Sequence, residues 1–169
     1  MRLPRAVSIL LSTMVSLVSA SCGQGPASEG DKPRAARDVA ADQAAVEEVV
    51  RSHWKAINTL DTATITAQHT NDISILMTEI PARFTVPSPT ADSLFPILLA
   101  SKPHYVIEDL QVQMLGDVGV ASFFMSGGVV LPNGKADDRR RRVTEVWVWQ
   151  EADGGWKEAH HHDSVFSSL

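Results

Sequence analysis

The spacing of apolar residues along this chain changes once, and that change constrains the fold more than any other feature. Up to about residue 100 apolar positions recur every three or four residues; from His104 onward they alternate. Val46, Val49, Val50, Trp54, Ile57 and Leu60 make one stripe on a 3.6-residue period, with Glu47, Glu48, Arg51 and Lys55 on the wet side. This predicts a helix capped by Asp38 or Asp42 and running to about Leu60. Asp61 caps a short second helix, Thr62 to about His69, which Asn71-Asp72 breaks. Ile73 to Met77 reads as a short β run. Residues 81–89, with prolines at 81, 87 and 89, read as a loop. Thr90 or Asp92 opens a third helix carrying Leu94, Phe95, Leu98 and Leu99, with Pro96 near its first turn, where a missing N–H costs little.

His104–Leu115, Val118–Val130, Arg139–Gln150 and Trp156–Phe166 then read as four successive strands. Gly116-Asp117, Pro132-Asn133-Gly134-Lys135 and Asp153-Gly154-Gly155 are the turns between them, with Asn-Gly supplying positive φ. Helices first and an antiparallel meander afterwards define an α+β chain, its helices packed on one face of a curved sheet. At 169 residues there is room for one such domain with a proper core.

The first residues belong to a different kind of segment. Arg2 and Arg5 precede an apolar run from Ala6 to Val18, then the small residues Ser19, Ala20 and Ser21, then Cys22. A charged start, a run too short to span a bilayer and a small-residue site are the marks of an export signal. Two cleavage readings stand. Residues 1–20 are a signal peptide cut after Ala20, or residues 1–21 are a lipoprotein signal and Cys22 is the lipid-modified first residue. Ser19 departs from the branched aliphatic residue usual three places before such a cysteine. The expected location is the periplasm or outer membrane, or alternatively the medium, with a lipid on Cys22 as the only membrane attachment. Cleavage takes Arg2 and Arg5 away and moves the formal charge from −5 to −7. A mildly acidic chain gives no basic stripe for nucleic acid. Cys22 is the only cysteine, so no internal disulfide forms. Residues 22–37, rich in Gly, Pro, Ala and charge, read as a disordered linker, and 38–169 as the domain.

The last strand carries a family likeness. After the Asp153-Gly154-Gly155 turn come Trp156, Lys157, His160, His162 and Ser164, which resembles the closing strand of SnoaL-like domains. It is similar also to that of the calcium/calmodulin-dependent kinase II association domain. Thr144-Glu145-Val146-Trp147 resembles the penultimate strand of these families, and Trp54-Lys55-Ala56-Ile57-Asn58 followed by Asp61 resembles their first helix. The likeness spans about residues 42–166. It implies the nuclear transport factor 2-like (ketosteroid isomerase-like) fold: a cone-shaped roll of three N-terminal helices on a curved antiparallel sheet, with a pocket inside and members that often form homodimers through the sheet. It implies no activity, since the superfamily includes isomerases, dehydratases, cyclases, transport factors and assembly domains.

Strict alternation puts Glu158, His160, His162 and Ser164 on one face of the last strand, and Lys157, Ala159, His161, Asp163 and Val165 on the other. By similarity to the association domain, the second face points inward. That places His161, Asp163, Glu145 and Trp147 in the pocket, and His160, His162 and Ser164 on the outer, dimer-forming face. The candidate chemistry is a general acid/base pair, His161 tuned by Asp163 or Glu145, acting on a small hydrophobic ligand held against Trp147 and Trp54. His104 and Tyr105 are candidate hydrogen-bond donors at the pocket mouth. The isomerase pattern also has a tyrosine on the first helix, where this chain has His53 and Trp54. Of Arg139–Arg142, a strand sends two to each face, so two at most reach the pocket, where they suit an anionic group. His160 and His162 with His53, His69 or His104 form the only histidine grouping suggestive of metal. Without a Cys-x-x-Cys or His-Glu-x-x-His pattern, the expectation is no metal and no cofactor.

Two function classes remain open on these residues. One is an exported small-molecule-binding domain with a hydrophobic pocket and weak isomerase-, dehydratase- or cyclase-like activity. The other is a dimerising, non-enzymatic assembly or protein-interaction module of the cell envelope.

Overall fold

The computed structural model describes residues 38–166 except 79 and 81. The signal, Cys22 and the linker lie outside the described residues.

Helix α1 spans Val39–Thr59. Asp38 caps it, its carboxylate accepting from the backbone N–H groups of Ala40 and Ala41. The predicted stripe is the buried one: Val46, Val50 and Trp54 pack into the core. Helix α2 is Thr62–Ala67, with Asp61 accepting from the backbone and hydroxyl of Thr64 at 3.1 and 2.7 Å. The chain turns to strand two residues later than α2 ends. Strand β1 is His69–Leu76, so Asn71 and Asp72 lie inside a strand and do not merely end a helix. Strand β2, Phe84–Thr85, interrupts the proline-rich loop. Helix α3 is Pro89–Leu99, capped by Ser88. Pro96 therefore sits in the body of α3 and not in its first turn.

Three of the four expected strands are shorter or divided, and the last is shifted by one residue. After β3 (Lys102–Pro103) come β4 (Val106–Leu115) and β5 (Val118–Ser126), with β6 (Gly128–Val130) split from β5 at Gly127. Gly127 has φ +84°, and a Cβ there would stand 2.2 Å from the His104 carbonyl oxygen, so only glycine lets the chain leave one sheet for the other. Strand β7 is Ala136–Asp138, β8 is Arg141–Gln150 and β9 is Gly155–Val165. The large sheet runs β2-β1-β9-β8-β5-β4 and the small one β3-β6-β7. All pairs are antiparallel except β1 with β9.

The core lies between α1 and the inner face of the large sheet. Val46, Val50 and Trp54 meet Ala121, Phe123 and Met125 of β5, Val143 and Trp147 of β8, and Trp156 of β9. Aromatic side chains supply most of the area removed from water here. The α+β class is the one expected from the order of elements, and the cone is the one the family resemblance implies.

One irregularity rearranges the last strand. Opposite β8, Val146 pairs with His160 but Trp147 pairs with Glu158, which leaves Ala159 without a partner. This is a β-bulge: one extra residue that reverses the side-chain phase on either side of it. Trp156 and Glu158 point inward before it, His161 and Asp163 point inward after it. Strict alternation, which assigns Glu158 to the outer face with His160, is corrected by this single residue.

Candidate functional site

The cone encloses a cavity of about 640 Å³. Its walls are aliphatic and aromatic, among them Ile73 and Ile75 of β1, Leu94, Phe95 and Leu98 of α3, and Met125 of β5. Of its polar groups, His53, His69, Arg141, Glu158, His161 and Asp163 form one linked cluster; Thr66, Thr70, Asn71, Ser101 and Asp137 line the cavity as well.

The predicted residues divide into three groups. Trp54, Tyr105, His161 and Asp163 line the cavity. Asn58 clamps the Tyr105 backbone to α1, donating to its carbonyl at 2.8 Å and accepting from its N–H at 2.7 Å. That brings the Tyr105 ring edge-on to Trp54, with centroids 5.2 Å apart. Glu145 and Trp147 face inward but do not line the cavity. Both are fully buried beneath it, and the Glu145 oxygens each accept an indole N–H, from Trp54 at 2.8 Å and from Trp147 at 2.9 Å. His104 is outside altogether. Its Nε2 lies 2.7 Å from Asp138 Oδ1 on the surface, because the chain crosses there from β3 to β4. His160, His162 and Ser164 lie on the outer face, half-buried, with His160 Nδ1 2.7 Å from Ser74 Oγ.

Of the arginine run, Arg139 and Arg140 precede β8 and pair with Asp137 and Glu108. Arg142 is exposed. Arg141 alone turns inward, buried, with Nε 3.8 Å from Asp163 Oδ1.

His161 is boxed in by carboxylates. Its Nε2 is 3.5 Å from Asp163, and its Nδ1 is 3.3 Å from Glu158 Oε1 and 3.7 Å from Glu145 Oε1. Burial alone would lower its pKa; Asp163, Glu145 and Glu158 outweigh that and raise it well above the ordinary imidazole value. Burial would likewise raise Glu158, but His161, His53 and His69 hold its carboxyl well below the usual range. Asp163 follows the same pattern: burial opposes ionisation, while His161, the Thr78 backbone and Arg141 overcome it and lower its pKa.

Glu158 is the functional residue that alternation alone misassigns, and His53 and His69 join it from α1 and β1. The sequence does not mark it: Trp156 and Glu158 keep one period-two phase and His161 and Asp163 the other, which plain alternation reads as two faces.

Over residues 42–167 the sequence matches the family model of the calcium/calmodulin dependent protein kinase II association domain. The chain belongs to that family. Among solved structures it is similar to the S. rosetta CaMKII hub, with 24% identity and a TM-score of 0.60 over 73% of this chain and 96% of that one. It is similar also to a nuclear transport factor 2-like superfamily protein from Salmonella enterica, with 16% identity and a TM-score of 0.66 over 78% and 95%. A third likeness is to a candidate dehydratase of the nuclear transport factor 2-like family from Streptomyces avermitilis, with 16% identity and a TM-score of 0.65 over 76% and 99%. No curated protein matches the sequence. These structural likenesses establish the nuclear transport factor 2-like fold.

Proposed function

We propose that this protein binds a small, largely apolar molecule in the cone, with one polar group of the ligand at the His161–Asp163–Arg141 cluster. The cavity carries this reading. About 640 Å³ of mostly apolar space with one cluster of convergent polar groups has the size and character of a ligand pocket. Binding is favoured over proton transfer, because both nitrogens of His161 already face carboxylates. A proton shuttle would need one of those nitrogens to leave its carboxylate for the ligand.

The test uses the apolar fluorophore 1-anilinonaphthalene-8-sulfonate as a probe. One molecule should bind per chain, and Leu98→Trp, which fills the cavity from α3, should weaken binding at least tenfold with unchanged circular dichroism. Equal affinity in a folded Leu98→Trp variant would contradict the reading.

A second reading is favoured by the outer face of β8 and β9. Its outward residues are half-buried or exposed in the single chain, and the chain belongs to a family named for association. We propose that copies self-associate through this face, with His160, His162 and Ser164 at the contact. A monomer at tens of micromolar by sedimentation would refute it. Residues 1–22 support export of the whole chain, with Cys22 as the site of any lipid anchor.

A further inference from the structure

We infer that His53, His69 and Glu158 form a site for one divalent transition-metal ion at the polar cluster of the cavity. Three elements deliver the ligands: His53 from α1, His69 from the start of β1, and Glu158 from the segment of β9 just before the bulge. His69 and Glu158 are partners across the parallel β1–β9 pair, and the Glu158 N–H donates to the Gln68 carbonyl at 2.8 Å. Without the bulge, Glu158 and His161 could not both face the cavity.

The distances suit a shared ion better than direct hydrogen bonds. His53 Nε2 and His69 Nε2 each stand 3.4 Å from Glu158 Oε2, and all three ligand atoms lie within 4.8 Å of one another. An N–H···O bond is normally about 2.7–3.2 Å long. Two ligand atoms at about 2.0–2.1 Å from one ion, at a tetrahedral angle, stand about 3.3–3.4 Å apart.

The hydrogen bonds behind His53 point the same way. Gln68 Nε2 donates to Ser52 Oγ at 3.2 Å, which turns its Oε1 toward His53 Nδ1, also at 3.2 Å. An amide oxygen only accepts, so Nδ1 carries a proton and Nε2 is the nitrogen left to face Glu158. A proton or a metal ion bridges such a pair, and a ring nitrogen anchored by an amide oxygen is the usual arrangement behind a metal-bound histidine. Glu158 is 1% exposed; its Oε1 faces the His161 ring at 3.3 Å, which leaves Oε2 to His53 and His69.

Glu145, Glu158 and His161 also cluster, but both Glu145 oxygens are committed to indole donors, which leaves that set without a third ligand. Two imidazoles and a carboxylate suit zinc, iron(II) or cobalt(II) more than magnesium or calcium. All three residues line the cavity, so any open coordination position faces it. This inference stands independently of the ligand reading above.

The test is titration of the full chain, freed of metal by chelation, with cobalt(II) chloride by visible absorption and with zinc chloride by calorimetry. One equivalent should bind per chain, and bound cobalt should show the intense bands of a four- or five-coordinate site. His69→Ala and Glu158→Gln, checked for folding by circular dichroism without metal, should each weaken binding at least tenfold. The variant His104→Ala, on the surface beside Asp138, should bind as the parent does. A cobalt spectrum no stronger than that of the aqueous ion overturns the inference without any variant. So does equal affinity in folded His69→Ala or Glu158→Gln, or loss of binding in the His104→Ala variant. Metal-free protein that still binds the fluorophore while ignoring cobalt would remove the metal site and leave the ligand pocket.

Discussion

Glu145 shows how a single residue can matter without touching a ligand. It is wholly buried and holds two indoles, Trp54 of the cavity wall and Trp147 of the core, in fixed orientations. Glu145→Ala orphans two buried N–H donors at about 1–3 kcal/mol each, so destabilisation of about 2–6 kcal/mol is expected in urea denaturation. Asp163 makes a pH-dependent contribution. Its folded pKa lies below the unfolded value, so its stabilisation is present above the ordinary carboxylate range and is lost as pH falls through the folded value. Asp163→Asn should therefore be less stable than the parent at pH 7, and the difference should shrink as pH falls below the ordinary carboxylate range. A constant difference down to pH 2 would contradict the ion-pair account. At this scale the sequence is half legible. His161 and Asp163 can be placed inward from likeness and alternation. Glu158 cannot, because its orientation depends on an extra residue that alternation conceals. His104 reads as a pocket residue by adjacency to Tyr105, yet its ring is drawn outward by Asp138.

Elements are most legible where local chemistry dictates them. Asp38 and Asp61 are cap residues by type and position, and both cap. Asp61→Ala should lower stability modestly in urea denaturation, since it removes the acceptor for the Thr64 N–H and hydroxyl. Boundaries set by contacts distant in sequence are not legible in this way. Nothing local tells His69 to pair with β9 in parallel instead of continuing α2, and it is the close approach of the His104 carbonyl that ends β5 at Gly127. The bulge belongs to this class. Deleting Ala159 removes the extra residue, so Trp156, Glu158, His161 and Asp163 fall on one plain period-two phase and all still face inward. The deletion variant should therefore fold and keep cobalt binding; a deletion that turned Glu158 out and abolished binding in a folded chain would contradict the register.

At the scale of the whole molecule, the change of hydrophobic period fixes the α+β class, but the cavity is a joint product of α1, α2, α3 and strands from both sheets, and no stretch of sequence displays it. The N-terminal residues extend the account beyond the domain. If Cys22 is the lipid attachment, the full chain expressed in a bacterial host should sediment with membranes and Cys22→Ser should not; an intact N-terminus in the cytoplasmic fraction would remove export altogether. The central claim is that the cone holds a ligand, and native mass spectrometry of the mature domain, beside its denatured mass, tests it most directly. A ligand-holding cone predicts a non-covalent extra mass of a few hundred daltons on each chain that disappears on denaturation, or that returns when apolar candidates are added back. Bare chains only, before and after such additions, would contradict it.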